Sequence, residues 1–204
     1  AGPEPHEPSS KAWLYHSHVH AEREINSGLF GFLIITDPKR SRPDGTPADI
    51  DRELATAFVV FDERAPEDED LFSVALPTDP NLRQNFIQHR FNATVAELQQ
   101  TELAARHSVN GRIFGNVTGL EMIQGERVRW YVFALGSEKD VHTAHWHGTR
   151  GRYNGRMTDV IELLPASITA LDFRAENKGT WLFQCHVADH MMEGMYAPFV
   201  VHEE

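Results

Sequence analysis

Cys185-His-Val-Ala-Asp-His190-Met-Met-Glu-Gly-Met195 follows directly on the mostly apolar run Gly179-Thr-Trp-Leu-Phe-Gln-Cys185, and the spacing of its donors decides how the chain is read. The run reads as a strand, in which successive side chains point to opposite faces. Cys185 therefore faces away from Gln184 and His186, so one segment can serve a site on each side. Beyond Cys185 the chain must turn for His190 and Met195 to return to the side of the thiol. Upstream, His142-Thr-Ala-His145-Trp-His147-Gly148 reads as a second strand, with His145 and His147 pointing one way and Trp146 the other. A thiolate, two imidazoles and a distant thioether make a trigonal His2Cys site with a weak axial Met, a donor set that selects copper and tolerates both its oxidation states. The ligands read in this way are His142, Cys185, His190 and Met195. Structural zinc seldom uses Met and usually draws on closely spaced Cys pairs.

Working outward, short segments rich in β-branched and aromatic residues recur with Gly and Pro between them: 112–114, 127–135, 141–146, 158–164, 168–173, 179–185 and 196–201. That rhythm predicts an antiparallel β-sandwich rather than βαβ units. Residues 13–15, 29–35 and 57–61 read as three further strands, after a Pro-rich arm over 1–10. Residues 62–80, with six carboxylates over 62–70 and three prolines, read as an acidic linker. One helix is expected over Val95–Arg106, with Thr94 as a possible N-cap. The resulting division is 81–204 as one complete β-domain and 1–80 as the C-terminal strands of another followed by the linker.

Composition narrows the function classes. The 204 residues carry 19 Lys and Arg against 30 Asp and Glu, a formal charge of −11, with 12 His and one Cys. An acidic chain suits cations or neutral organic molecules better than nucleic acid or an anionic membrane surface, because phosphate binding needs a basic face. A single Cys forms no internal disulfide. The longest apolar run, 28–35, is too short for a membrane span.

Cys-His-x3-His-x3-Gly-Met, preceded by His-x2-His-x-His-Gly, is similar to the last cupredoxin domain of multicopper oxidases, of the ceruloplasmin and two-domain laccase type. Ser108-Val-Asn-Gly-Arg-Ile-Phe-Gly-Asn116, Arg129-Trp-Tyr-Val, Gly179-Thr-Trp-Leu and Tyr15-His-Ser-His18 with Ser27-Gly-Leu-Phe-Gly31 resemble the same branch. The resemblance implies an all-β fold, a cupredoxin-like Greek-key β-sandwich with one complete domain plus the C-terminal part of a second. It implies a type 1 blue copper that takes one electron from a reducing substrate. The electron then crosses the covalent path from Cys185 to His186 to type 2 and type 3 coppers at a domain interface, where O2 is reduced to water. Carried over by position, His145 binds the type 2 copper, and His147, His186, His16 and His18 bind the type 3 pair. Ser17, between His16 and His18, stands where a mononuclear copper would have its Cys, so the first domain should lack that centre.

The chain departs from the pattern twice. The first-domain His-x-His-Gly strand is not in this sequence, so a companion chain of roughly another hundred residues, or neighbouring subunits of a homo-oligomer such as a trimer, should complete the cluster. Gln184 stands where the family has His, and a neutral amide oxygen is a weaker donor to copper, so that position should bind type 3 copper poorly. For the electron donor, the resemblance to ceruloplasmin-like ferroxidases places Glu102, His107 and Asp189 at an iron site beside the blue copper. An open pocket for phenols or other organic donors, as in laccases, remains the alternative. The function expected is copper-dependent oxidation of Fe2+ or an organic donor coupled to O2 reduction. Its rivals are a blue-copper electron-transfer or copper-binding protein with an incomplete cluster, and a structural descendant without catalysis. Met191, Met192 and Glu193 read as packing against the copper loop, and His6, His20, His89 and His202 as surface residues. Copper ligation by a reduced Cys suggests a periplasmic or secreted location.

Overall fold

A computed structural model of the chain describes residues 1–19, 21–62, 79–91, 105–135 and 141–204. Its contacts divide it into two units, one built from Ala1–Tyr15, Gly31–Val59 and His107–Glu204, the other from His16–Phe30 and Val60–Arg106. Thirteen strands are described: β1 (Ser10–His16), β2 (Phe30–Thr36), β3 (Arg52–Asp62), β4 (Ala105–Val109), β5 (Glu121–Ile123), β6 (Arg127–Leu135), β7 (His142–Trp146), β8 (Gly151–Tyr153), β9 (Arg156–Thr158), β10 (Val160–Leu163), β11 (Ile168–Arg174), β12 (Gly179–Cys185) and β13 (Tyr196–His202). The helices are α1 (Ala21–Asn26), α2 (Pro80–Phe91) and α3 (Ala188–Met192).

Two sheets of the first unit make the sandwich. One runs β10-β7-β12-β13-β5 and the other β4-β3-β6-β11-β8-β9, while β1 and β2 form a two-stranded ribbon. The described pairings are antiparallel except β13 with β5 and β3 with β6, which run parallel. Alternation selects the inward set: along β7 His142, Ala144 and Trp146 are buried, and along β13 Ala197, Phe199 and Val201. Trp130 of β6 anchors the core, edge-on to Trp146 and Phe199 with ring centroids 6.1 and 5.4 Å apart. Phe183 of β12 stacks on Phe58 of β3 at 5.1 Å.

A buried polar network ties the N-terminal arm to this sandwich. The Arg129 side chain is 1% exposed. Its Nε and Nη2 donate to Asp172 at 2.7 Å, and its Nη1 donates to Ser9 and Ser10 at 3.0 and 2.7 Å. Ser10 also meets the Tyr131 hydroxyl, which donates to Glu53 at 2.5 Å. Burial, together with the Glu53 contact, raises the Tyr131 hydroxyl above its ordinary range.

Several expectations change on the structure. Residues 112–114 form a turn, not a strand: Asn110 and Phe114 carry φ of 51° and 55°, and the Val109 and Arg112 backbones bond to each other across it. The strand expected at 57–61 is longer and lies beside β6, within the sheet of the sandwich, and residues 1–15 and 31–59 contribute to the same unit as 107–204. An apolar β-branched run carries no mark of which strand it pairs with. Of the helix expected over 95–106, residues 95–104 lie outside the described set, and Ala105 and Arg106 begin β4. The described helix of that region is α2, with Pro80 in its first turn and Asp79 accepting from the Asn81 and Leu82 amides at 2.7 and 3.2 Å.

Two outcomes follow from the charged contacts. Removing the nearer anion leaves the buried Arg129 with only the Asp49 carboxylate at 3.8 Å, so Asp172→Asn should lower the unfolding free energy by about 2–3 kcal/mol. Arg129→Met should cost less, since it leaves the partly exposed Asp172 carboxylate in reach of water. Urea midpoints of the two variants test this, and the reverse order contradicts it. Glu126 accepts from Arg52 at 2.6 and 2.8 Å, and this pairing lowers its carboxyl below the ordinary range. A lowered folded pKa gives stability that is present above the unfolded value, about 4.3, and is lost as pH falls through the folded one. Glu126→Gln should therefore flatten the acid limb of the stability curve, measured by urea titration between pH 6 and 3 (roughly the window in which a carboxylate titrates).

Candidate metal centre

The pairing of β12 with β7 builds the site. In register, Cys185 lies opposite Ala144, Gln184 opposite His145, and Phe183 opposite Trp146. Cys185 thus shares the inward face with His142, whose ring packs against Phe58 at 5.6 Å. After Cys185, α3 and a glycine turn reverse the chain. Gly194 has φ of 106°, and a Cβ there would lie 2.8 Å from the Phe114 backbone nitrogen, so this position demands glycine twice over. The turn at 110–116 supports the loop from outside, with the Phe114 amide donating to the Gly194 carbonyl at 3.0 Å. Met195 returns fully buried, its carbonyl accepting from the Cys185 amide at 3.0 Å and its amide donating to the His190 carbonyl at 2.9 Å.

His142, Cys185 and His190 come together as the compact His/Cys/Asp/Glu group among the described residues. The Cys185 Sγ lies 3.7 Å from His142 Nδ1 and 3.6 Å from His190 Nδ1, and the two nitrogens are 3.2 Å apart. The centre of that triangle is about 2.0 Å from each corner, close to the roughly 2.0–2.3 Å of metal–imidazole and metal–thiolate bonds. The Thr143 amide donates to Sγ at 3.5 Å. Burial nevertheless raises the thiol above its ordinary pKa, outweighing that amide. A thiolate at this depth therefore calls for a bound cation, and the donor set fits copper.

On the opposite face of the same two strands, His145 lies 4.3 Å ring to ring from His147 and 5.2 Å from His186. His145 Nδ1 and His147 Nε2 are buried without a hydrogen-bond partner, as metal-binding nitrogens are before a metal arrives. Burial, then the charge of His147, lowers the His145 imidazole below its ordinary range, against the pull of Asp159 at 3.7 Å. Gly148 after His147 has φ of 70°, and a Cβ there would clash with the Trp181 indole at 2.2 Å. Gln184 is buried on this face beside His145. His16 and His18 belong to the second unit, where their rings lie 5.3 Å apart.

Of the expected iron-site residues, His107 is buried on β4 and stacks on His190, centroids 4.6 Å apart and planes 26° apart. Asp189 is exposed in α3, one residue before His190. Glu102 lies outside the described residues. Glu193, which the sequence places with Met191 and Met192 in packing against the copper loop, instead sets its carboxylate against His107 Nδ1. No sequence spacing links residues 86 positions apart.

Residues 77–204 match the family model described as multicopper oxidase. The chain is 34% identical to hephaestin of Mus musculus over 209 residues, covering 100% of this chain and 17% of that protein. It is 32% identical to ceruloplasmin of Homo sapiens over 200 residues, covering 93% and 17%. A protein named a ferroxidase in Homo sapiens is 32% identical over 202 residues, covering 98% and 16%. The chain thus spans about one-sixth of the length of these relatives. A solved structure titled as that of a multicopper oxidase superposes with a TM-score of 0.62 at 18% identity, covering 96% of this chain and 57% of the other, which supports the cupredoxin-type β-sandwich. The family match and the buried His2Cys group lead to one conclusion: this chain belongs to the multicopper oxidase family of enzymes.

Proposed function

We propose that the chain is the copper-carrying part of an oxidase that takes single electrons from a small reducing donor and passes them to O2. The observation that carries this reading is the triangle of His142, Cys185 and His190. Its thiolate residue is joined through one peptide bond to His186, on the side of the strand where His145 and His147 lie. Copper held by the triangle and Met195 supplies reversible one-electron chemistry. Copper held by His145, His147 and His186 would serve O2. The chain itself contributes a dry, preformed cage that limits reorganisation when the charge on its metal changes. Cys185 and His186 together provide the covalent bridge between the two faces.

For the donor, we favour Fe2+ over phenols. A relative is named a ferroxidase, and the net charge of −11 draws cations inward. The imidazole of His107 stacks on His190, Asp189 precedes His190 in α3, and hard oxygen ligands favour the ferric product over the ferrous substrate. Glu102 is proposed as a further carboxylate of this site. The cluster is completed by histidines of a companion chain or of neighbouring subunits in a homo-oligomer, and the protein works in the periplasm or outside the cell. No helix among the described residues is long and apolar enough to cross a membrane.

A second reading rests on Gln184. An amide where the family pattern has His weakens one copper position, and an electron-transfer or copper-binding protein with an incomplete cluster follows from that loss. Copper content separates the readings. Several coppers per chain with O2 consumption support the oxidase, whereas a single blue copper without O2 consumption supports the second reading.

Two outcomes are expected. Adding Cu2+ to the chain should produce an intense blue charge-transfer band and raise its stability by about 2.7 kcal/mol at a hundredfold excess over Kd. Cys185→Ser should lose the band and most of the gain, as followed by absorption and thermal melting; retention of the band contradicts the ligand set. Steady-state rates with Fe2+ and with a phenol, on wild type and Asp189→Ala, test the donor. The Fe2+ KM should rise severalfold more than that for the phenol, and equal changes contradict the iron site.

A further inference from the structure

The copper loop is fastened from outside on both sides of Met195. The Phe114 amide donates to the Gly194 carbonyl at 3.0 Å, and the Gly115 amide donates to the Tyr196 carbonyl at 3.2 Å. Those carbonyls belong to the residues immediately before and after Met195. The Phe114 and Tyr196 rings meet edge to face, centroids 6.3 Å apart. Phe114 sits in the left-handed region at φ of 55°, a conformation that costs a phenylalanine free energy and persists only where its surroundings hold it. The turn that carries these donors is in turn hooked to the other sheet of the sandwich. Asn110 Oδ1 accepts from the Ala57 amide at 2.7 Å, Asn110 Nδ2 donates to the Ala55 carbonyl at 3.2 Å, and the Asn110 amide donates to the Ala57 carbonyl at 2.9 Å. Ala55 and Ala57 lie on β3, in the sheet that does not contain β12 and β13. Asn110 has φ of 51°, which asparagine tolerates better than most residues.

A thioether is the weakest donor of a His2Cys site with axial Met, and the strength of that contact tunes the reduction potential of the metal. We propose that Asn110 is a positioning residue for Met195: it ties the turn at 110–116 to β3, and the turn clamps the backbone on both sides of the thioether, fixing how far its sulfur stands from a metal held by His142, Cys185 and His190. The proposal rests on the copper reading above, with Met195 as the axial donor, and adds the residues that set the strength of that donor. Within the loop, Met195 is already bonded through its own amide and carbonyl to His190 and Cys185. Those bonds hold Met195 against its fellow ligands. The clamp on residues 194 and 196 fixes the tilt of its backbone, and so the reach of its side chain. Loosening the clamp lets the sulfur draw back. A dipolar donor interacts more strongly with a doubly charged ion than with a singly charged one. Its withdrawal therefore destabilises the cupric state more than the cuprous state and raises the potential.

The test uses the copper-loaded full chain, equilibrated without O2 against a ferricyanide and ferrocyanide couple, with the blue band read at each ratio. Asn110→Gly keeps the positive φ accessible and removes both side-chain bonds. In this variant the electron-transfer equilibrium should shift toward the cuprous form by roughly tenfold, about 59 mV for one electron, and the rhombicity of the cupric EPR spectrum should change. Gly115→Ala, whose Cβ would lie 3.3 Å from the Tyr196 ring at φ of 74°, should shift the equilibrium the same way. Thr56→Val serves as the neutral control: it breaks the buried hydrogen bond from Trp130 Nε1 to Thr56 on the same strand, without touching the turn, and should leave the potential where it was. An unshifted potential in a blue Asn110→Gly overturns the proposal, as does a shift of equal size in Thr56→Val. If Asn110→Gly holds no copper, Gly115→Ala is read in its place with the same two outcomes. Loss of the blue band in both also overturns it, because a brace acting on the axial thioether leaves the other three ligands to make the band. A wild type that never turns blue defeats the copper reading itself and this proposal with it, whereas a blue Asn110→Gly at the wild-type potential defeats only the part given to Asn110.

Discussion

The register of β12 against β7 is the constraint on which the rest of the structure depends. Placing Cys185 opposite Ala144 puts the thiol on the inward face with His142, and by the same alternation puts Gln184 with His145 on the other. A slip of β12 by one residue would turn the thiol out of the core and Gln184 and His186 into it, while His142 and His145 on β7 kept their faces. The register is held from both sides, since β12 is also paired with β13 over six residues. It is locked in the core by Phe183, which packs among Phe58, Trp130 and Trp146. Aromatic packing thus fixes the placement of a side chain whose chemistry has nothing to do with packing.

A buried thiol is stable as a neutral group, and a buried thiolate is not. The fold supplies the sulfur with the backbone amides of Thr143 and Val187 and sets two imidazoles beside it, and burial still raises the thiol above its ordinary pKa. Such an environment discriminates between a bare chain and a metal-loaded one, because only a cation compensates the desolvated negative charge. The buried guanidinium of Arg129 is handled in the opposite way, by full pairing with Asp172 and two serines. One charge is satisfied by the protein, while the other is left for the metal.

The sequence made the strand pattern and the ligand spacing legible, because both depend on short-range periodicity. His142, Cys185 and His190 could be grouped from alternation and the need for a turn after Cys185, and the structure brings their donor atoms within 3.7 Å of one another. What stayed hidden depends on long-range placement. The turn at 112–114 reads as a strand by composition, yet it bends to brace Gly194. The strand β3 gives no local sign that it pairs with β6. Glu193 looked like one more polar residue of the copper loop, because nothing in its neighbourhood points to His107 on a strand far earlier in the chain.

Copper-edge X-ray absorption on the loaded chain reads the central claim directly, through the atoms bonded to the metal. The account predicts one short copper–sulfur bond accompanied by two imidazole nitrogens, with little change in these bond lengths between the cupric and cuprous forms. A first shell made only of nitrogen and oxygen, with no sulfur at bonding distance, would contradict it.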